Sequence, residues 1–183
     1  MTQDWPRTLW IVRHGQSAGN VARDAAEAAG LFVIDIAERD IDVPLSELGH
    51  EQAQALGQWF GALPADRKPE VVLTSPYVRA RQTTRHLMEA AGLDTRKVRV
   101  RVDERLREKE FGLLDRLTVH GIRQKYPELA AQRIALGPAA KLLLICRFCR
   151  GGVPDVRSRG RQRVLGSWLA VQAAPVPAFC GAG

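Results

Sequence analysis

The stretch LWIVRHGQSAGN, residues 9–20, decides how this chain folds. Its first four residues, 9–12, form a short apolar run that predicts a buried strand. Polar and small residues follow at once and open a predicted helix over 22–29. A buried strand that leads into a helix is the repeating unit of an α/β domain.

The same alternation of strand and helix continues to about residue 136. The later predicted elements are a helix over 46–63 capped by Ser46, a strand at 71–73, a helix over 77–91, a strand over 98–102, and helices at 119–125 and 127–136. This order predicts an α/β fold of three layers, with a mainly parallel central sheet and helices on both faces. Functional sites in such folds form at the carboxyl ends of the strands.

The chain has 183 residues and a formal net charge of +7, and the positive charge is concentrated near its C-terminal end. From residue 137 onward there are seven basic residues and one acid, whereas residues 1–136 carry 20 basic and 19 acidic groups. All three cysteines lie in the same tail. We therefore predict an α/β domain over 1–136 and a basic, cysteine-containing tail over 137–183 that is poorly packed or disordered.

The tail also has weaker interpretations. Cys146 and Cys149 have the spacing of a zinc or redox pair, but Cys180 is the one further thiol, so we expect no metal site. The arginines over 157–163 suggest nucleic-acid binding, but regular aromatic interleaving is missing, so we expect no such partner. We read no signal peptide and no apolar run long enough to cross a bilayer, so we expect a cytoplasmic protein without a membrane partner.

The residues directly after the first strand carry chemistry suited to phosphate. The guanidinium of Arg13 offers a planar fork of donors that matches a phosphate group. The neutral imidazole of His14 is a competent nucleophile toward phosphorus, and Asn20 can add a neutral donor. Gly15 allows the backbone to approach the site closely. An Arg-His pair alone is also typical of a solvated strand end, so the interpretation depends on the whole string.

Two later stretches repeat this chemistry. LTSPYVRARQT, residues 73–83, reads as a strand end, a turn and a helix start, and both Arg79 and the helix N-terminus favour a bound phosphate. LREKEFG, residues 106–112, contains carboxylic acids that can protonate a leaving oxygen. Taken alone, each stretch also fits ordinary solvated surface charges.

Together with PLSELGHEQA, residues 44–53, these stretches resemble the signature of the histidine phosphatase superfamily, also called the phosphoglycerate-mutase-like family. The family pattern has Arg-His-Gly after the first strand, with Asn six residues past the His, as Asn20 stands to His14 here. It continues with Pro-Leu-Ser/Thr-x-x-Gly-x-x-Gln-Ala, then Ser-Pro-x-x-Arg-Ala, and a Glu or Asp four residues before a Gly. All four motifs occur in this order over roughly residues 8–136.

The resemblance implies a phosphoglycerate-mutase-like fold and a mechanism. His14 would attack a phosphate ester and become phosphohistidine, and Glu108 would give a proton to the leaving group, with Glu110 as the alternative by spacing. The phosphoryl oxygens would be held by Arg13, Asn20 and Arg79, and Ser17 would hydrogen-bond the substrate. The implied partner is a small-molecule phosphate ester, and no metal or other cofactor is implied. The sequence indicates no oligomeric state.

The C-terminal part departs from the family, which needs a second histidine on a late strand. No histidine follows His120, and we expect none of His50, His86 and His120 to take that place. We interpret the matching domain as incomplete and the C-terminal part as truncated or frameshifted. Gly151-Gly152-Val153-Pro154 stands where the family often has Gly-Gly-Glu-Ser, and codons for Gly, Val and Pro read one base later can encode Glu then Ser.

The predicted function is hydrolysis of phosphate monoesters. Phosphoglycerate-mutase-type phosphoryl transfer is an alternative, less favoured because the segment from Asn20 to Pro44 lacks the Trp-Asn continuation typical of the glycolytic mutases. A catalytically inactive remnant is a second alternative, favoured by the missing histidine. Substrate identity depends on loops such as residues 21–43.

Overall fold

The computed structural model of the chain describes residues 8–108, 111–136, 143–147, 163–164, 167–168 and 171–175. Its strands are β1 (Thr8–Val12), β2 (Val71–Thr74), β3 (Arg99–Val102), β4 (Leu143–Arg147), β5 (Arg163–Val164), β6 (Ser167–Trp168) and β7 (Val171–Pro175). Its α-helices are α1 (Ala18–Ala28), α2 (Glu47–Gly61), α3 (Val78–Ala90), α4 (Val119–Lys125) and α5 (Pro127–Leu136). In this part of the chain, no helix combines the length and apolarity needed to span a bilayer.

The central sheet has the strand order β3-β2-β4-β1-β7. β2 and β3 pair in parallel, whereas β4 pairs antiparallel with both β1 and β2, and β7 pairs antiparallel with β1. β1, β2 and β3 therefore run in one direction, and the two antiparallel strands come from beyond residue 137. The predicted α/β class is confirmed, with three of the five strands sharing a direction.

The core lies between β1, β2 and the two helices α2 and α3. Trp10 and Val12 alternate along β1 toward one face, where they meet Leu56 and Phe60 of α2. Trp10 also packs edge-on against Trp59, with ring centroids 5.3 Å apart. Leu56 and Phe60 form the apolar part of the buried face of α2, and small residues complete it.

One of these small residues sets the separation of α2 and α3. A Cβ added at Gly57 would lie 2.6 Å from the carbonyl oxygen of Leu87 and 2.7 Å from the Cβ of Ala90. The two helices therefore pack with their backbones nearly in contact, which a larger side chain would prevent.

The domain boundary predicted near residue 137 stays a prediction. Several expectations concern segments outside the described residues: Glu110, the Gly151–Pro154 segment of the frameshift hypothesis, Cys149, Cys180 and the arginines before Arg163.

Candidate active site

The loop after β1 places His14 in a buried position. His14 is 7% exposed, and its Nδ1 lies 2.6 Å from the carbonyl oxygen of Gly15. Because a carbonyl can only accept a hydrogen bond, Nδ1 must carry the proton, and in the neutral ring the lone pair is on Nε2. Nε2 lies 3.7 Å from Oε1 of Glu108. Arg13, by contrast, is exposed at the end of β1.

Arg79, in the first turn of α3, reaches the same place. Its side chain is 2% exposed, and its NH2 group lies 2.9 Å from Oε1 of Glu108. The same carboxylate oxygen therefore contacts both the imidazole of His14 and the guanidinium of Arg79. The structure thus brings together three of the predicted site residues that lie far apart in the sequence.

Arg79 has two further neighbours that the motifs did not indicate. Oδ1 of Asp40 lies 3.1 Å from NH2, and NH1 donates a hydrogen bond to the main-chain oxygen of Asp40. The ring of Tyr77 lies under the guanidinium, with 4.6 Å between Cζ and the ring centroid. Burial, followed by the charge of Asp40, raises the pKa of Tyr77, so its phenol stays protonated at neutral pH.

Thr83 ties the two motif loops together. Its hydroxyl accepts a hydrogen bond from the backbone N–H of Gly15 at 3.2 Å and donates one to the carbonyl oxygen of Arg79 at 2.8 Å. Thr83 is fully buried. Since one hydroxyl bonds both segments, His14 and Arg79 are held in a fixed relation. Thr83 belongs to the stretch 73–83, but its role depends on a contact that the sequence pattern does not show.

The motif over 44–53 holds the loop that carries His14 through main-chain and side-chain hydrogen bonds. The backbone N–H of Gln16 donates to Oε1 of Gln52 at 2.8 Å, and its carbonyl accepts from the N–H of Ser46 at 3.0 Å. Ser46 also caps α2, as predicted, by accepting from the N–H of Gly49 at 3.1 Å. A Cβ at Gly15 would overlap the backbone of Gly49, and one at Gly49 would overlap that of Gln16. The motif therefore acts through close backbone contact.

Ser17 and Asn20 form a capping box at the start of α1. The backbone N–H and the hydroxyl of Ser17 both donate to Oδ1 of Asn20, each at 3.0 Å, and the N–H of Asn20 donates back to the hydroxyl. Because a backbone N–H is an unambiguous donor, the Asn20 oxygen must face Ser17. The amide nitrogen, a donor, is then directed elsewhere.

An open cleft adjoins Arg79. It has an empty volume of about 480 Å³, open solvent included, and it is lined by Ser17, Gly19, Asn20, Arg23, Ile34, Ile36, Glu38, Asp40, Val43, Arg79, Asp115 and Arg116. Three arginines and three carboxylates thus border it. Ser17, Asn20 and Arg79 share this cleft, whereas Arg13, His14 and Glu108 are not among its lining residues.

The remaining histidines lie apart from this cluster. His50 on α2 and His86 on α3 are hydrogen-bonded to each other, with 2.8 Å between Nδ1 and Nε2. Burial, followed by the neighbouring His50 and Arg85, lowers the pKa of His86. His120 is exposed on α4.

Comparison with known proteins places this geometry in a family. The model of the histidine phosphatase superfamily (branch 1) matches residues 9–141. A 2,3-bisphosphoglycerate-dependent phosphoglycerate mutase from Mesorhizobium japonicum is 36% identical over 123 residues, which cover 67% of this chain and 52% of that protein. A mutase of the same name from a Chelativorans species is 34% identical over 123 residues, covering 66% of this chain and 51% of that protein.

Solved structures show the same likeness. A mycobacterial glucosyl-3-phosphoglycerate phosphatase, solved with VO3, has a TM-score of 0.51 and 32% sequence identity, and the match covers 69% of this chain and 50% of that one. The chain spans about half the length of the curated relatives that it matches. From the motifs, the fold and these matches, we conclude that the chain belongs to the histidine phosphatase superfamily (branch 1), a family of enzymes.

Proposed function

We propose that the chain hydrolyses phosphate monoesters, with His14 as the nucleophile. The observation that carries this proposal is the buried cluster in which one oxygen of Glu108 lies 3.7 Å from His14 Nε2 and 2.9 Å from Arg79 NH2. This cluster supports the proposal because a candidate nucleophile, a candidate proton donor and a cation for the phosphoryl group lie side by side. A phosphohistidine intermediate is general to the family.

In the first step, Nε2 of His14 attacks the phosphorus while the bond to the ester oxygen breaks. The bond from Nδ1–H to the carbonyl of Gly15 keeps the lone pair on Nε2 and fixes the ring direction. Glu108 is proposed to act as the general acid that gives a proton to the leaving oxygen. In the second step water attacks the phosphohistidine, the P–N bond breaks, and Glu108 takes up the proton of the water.

The guanidinium of Arg79 stabilises the charge that spreads over the phosphoryl oxygens. Its burial strengthens this effect, because the electrostatic interaction is less screened than in water. Asn20, whose amide nitrogen faces away from Ser17, is proposed to donate to the same oxygens, as is Arg13 from the exposed side. Ser17 bonds the substrate by exchanging its present bond to Asn20.

The test is hydrolysis of a generic aryl phosphate at acidic to neutral pH. We expect His14→Ala to lower kcat/KM by about a thousandfold or more, because it removes the nucleophile. The matched control is His120→Ala, an exposed histidine on α4, which we expect to retain activity. Because phosphohistidine hydrolyses in acid, rapid quenching without acid should preserve the phosphoprotein, and acid treatment should then release its phosphate. Turnover by His14→Ala at the wild-type rate would refute the proposal.

Phosphoryl transfer of the phosphoglycerate-mutase type is a second candidate, because the curated relatives are 2,3-bisphosphoglycerate-dependent mutases. The product distribution decides between the two. Phosphorus NMR of a reaction with 3-phosphoglycerate would show inorganic phosphate for a phosphatase and 2-phosphoglycerate for a mutase.

An inactive remnant is a third candidate, favoured by the lack of any histidine after His120. It predicts binding of inorganic phosphate without turnover and without any phosphoprotein.

A further inference from the structure

The guanidinium of Arg79 is already paired with an anion that belongs to the protein, the carboxylate of Asp40. Oδ1 of Asp40 lies 3.1 Å from NH2 of Arg79, and the main-chain oxygen of Asp40 accepts a hydrogen bond from NH1. Asp40 opens the short 3-10 turn Asp40–Asp42 and borders the cleft. The same guanidinium is the group proposed above to bind the phosphoryl oxygens, so this inference rests on the proposed function.

Two carboxylates already neutralise the charge of Arg79 in this arrangement. NH1 donates to the main-chain oxygen of Asp40, and NH2 lies within ion-pair distance of one oxygen of Glu108 and one of Asp40. Nε and NH2 are buried, and within the described part of the chain neither makes a hydrogen bond of good geometry. These two groups are the parallel pair of donors that a phosphoryl group uses. A phosphate oxygen that approaches NH2 meets the negative charge of both carboxylates, so binding is weakened unless one of them moves.

Burial identifies Asp40 as the carboxylate that leaves. The side chain of Asp40 is 39% exposed, whereas that of Glu108 is 13% exposed. Asp40 can turn into the open cleft and be hydrated there, while Glu108 lies inside against His14. Arg79 itself is 2% exposed and is strongly destabilised without a counter-charge, which a bound phosphate then supplies.

We propose that Asp40 sets the affinity of the site for the phosphoryl group, because its carboxylate competes with phosphate for Arg79. A substrate binds by displacing Asp40, and Asp40 returns to the guanidinium when inorganic phosphate leaves. The competition weakens the binding of product as well as substrate, which favours release of phosphate after each turnover. Asp40 is in this sense a positioning residue, since it acts through Arg79.

The test compares the binding of inorganic phosphate to the full chain and to two variants by isothermal titration calorimetry. Asp40→Asn removes the charge and keeps the shape. Asp42→Asn is the matched control, because Asp42 lies in the same turn and pairs with surface Arg39 at 2.7 Å. We expect Asp40→Asn to bind phosphate about tenfold tighter than the wild type, and Asp42→Asn to stay within about twofold. The gain should persist at raised salt, because Arg79 is buried.

A gain in affinity is informative because a damaged fold would weaken binding. Asp40→Ser serves as a second variant should Asp40→Asn fold poorly, as judged by thermal unfolding. Unchanged or weaker binding by the Asp40 variants would overturn the inference, as would an equal gain in Asp42→Asn. Calorimetry measures phosphate binding without any turnover, so its result does not depend on whether the chain hydrolyses esters. The proposed hydrolysis is tested separately, by the effect of His14→Ala on turnover.

Discussion

Arg79 shows how a charged side chain is held inside this fold. A buried guanidinium is stable only when it is paired and hydrogen-bonded. Glu108 approaches it from the interior, Asp40 approaches it from the cleft, and the ring of Tyr77 covers one face. The side chain is therefore fixed before any ligand arrives, so little conformational entropy is lost when a phosphate binds.

The ring of Tyr77 should matter more than its hydroxyl. Tyr77→Leu removes the cation–π contact with Arg79, which is worth about 0.5–2 kcal/mol, so we expect phosphate affinity to fall by roughly twofold to thirtyfold. Tyr77→Phe keeps the ring and should bind phosphate like the wild type. Calorimetric titration with phosphate measures both variants. An equal loss in Tyr77→Phe would assign the effect to the hydroxyl instead.

At the residue level, the sequence predicted the parts of the site that lie within local motifs. His14 and Arg79 lie in recognisable strings that follow a strand, and Glu108 lies in the loop that follows the 3-10 turn Glu104–Leu106. The structure brings their side chains within contact distance. Asp40 lies in a loop without a local signature, and its contact with Arg79 spans 39 positions. Such a contact depends on how the loop folds back, which neither composition nor periodicity indicates.

At the level of elements, α2 supports both the core and the active-site loop. Gly49 touches the loop that carries His14. Gly57, about two turns further along the helix, touches α3. The helix therefore has one glycine contact for function and another for packing.

Substitution of these two glycines should separate the two contacts. Gly49→Ala places a Cβ where the carbonyl of Gln16 lies, so we expect the loop to shift and aryl phosphate hydrolysis to fall at least tenfold. Gly57→Ala forces α3 outward and should lower the free energy of unfolding by about 1–3 kcal/mol. In the folded state its activity should stay near that of the wild type. Urea unfolding measures the stability of each variant, and steady-state kinetics measure its hydrolysis of aryl phosphate. Normal activity in Gly49→Ala would contradict the predicted shift of the loop.

The histidine pair between α2 and α3 should make stability depend on pH. Burial and the neighbouring His50 lower the pKa of His86, so the folded chain favours the neutral ring. As the pH falls below about 6.5, His86 becomes protonated in the unfolded chain but stays neutral in the folded chain. The free energy of unfolding therefore decreases. Urea unfolding at about pH 7.5 and about pH 5.5 should show a larger loss for the wild type than for His86→Gln. Equal losses would mean that other groups dominate.

For the whole molecule, the arrangement of strands depends on residues beyond the predicted boundary. β4 lies between β1 and β2, and the segments that follow these two strands carry His14 and Arg79. The periodic patterns before residue 137 predicted their own strands and helices correctly, because those signals are local. They did not indicate β4 or β7, because a strand's partner and direction depend on distant sequence.

A chain that ends after Leu136 tests this arrangement. It lacks β4 and β7, so β1 loses both of its partners and β2 loses the one it shares with β1. Exposed strand edges of this kind promote association between molecules. We expect the shortened chain to aggregate in size-exclusion chromatography and to unfold over a broader temperature range than the full chain. A sharp transition at the same temperature would show that residues 8–136 fold without these strands.

The contact of Gly15 with Gly49 limits how such a site can be altered. Two main chains touch there without any side chain between them, so neither segment has room to move or to accept a bulkier residue. We therefore expect changes of ligand preference, by natural divergence or by design, to arise in the wall of the cleft formed around residues 34–43. Mutant libraries directed at that wall should yield folded proteins far more often than libraries directed at the glycines.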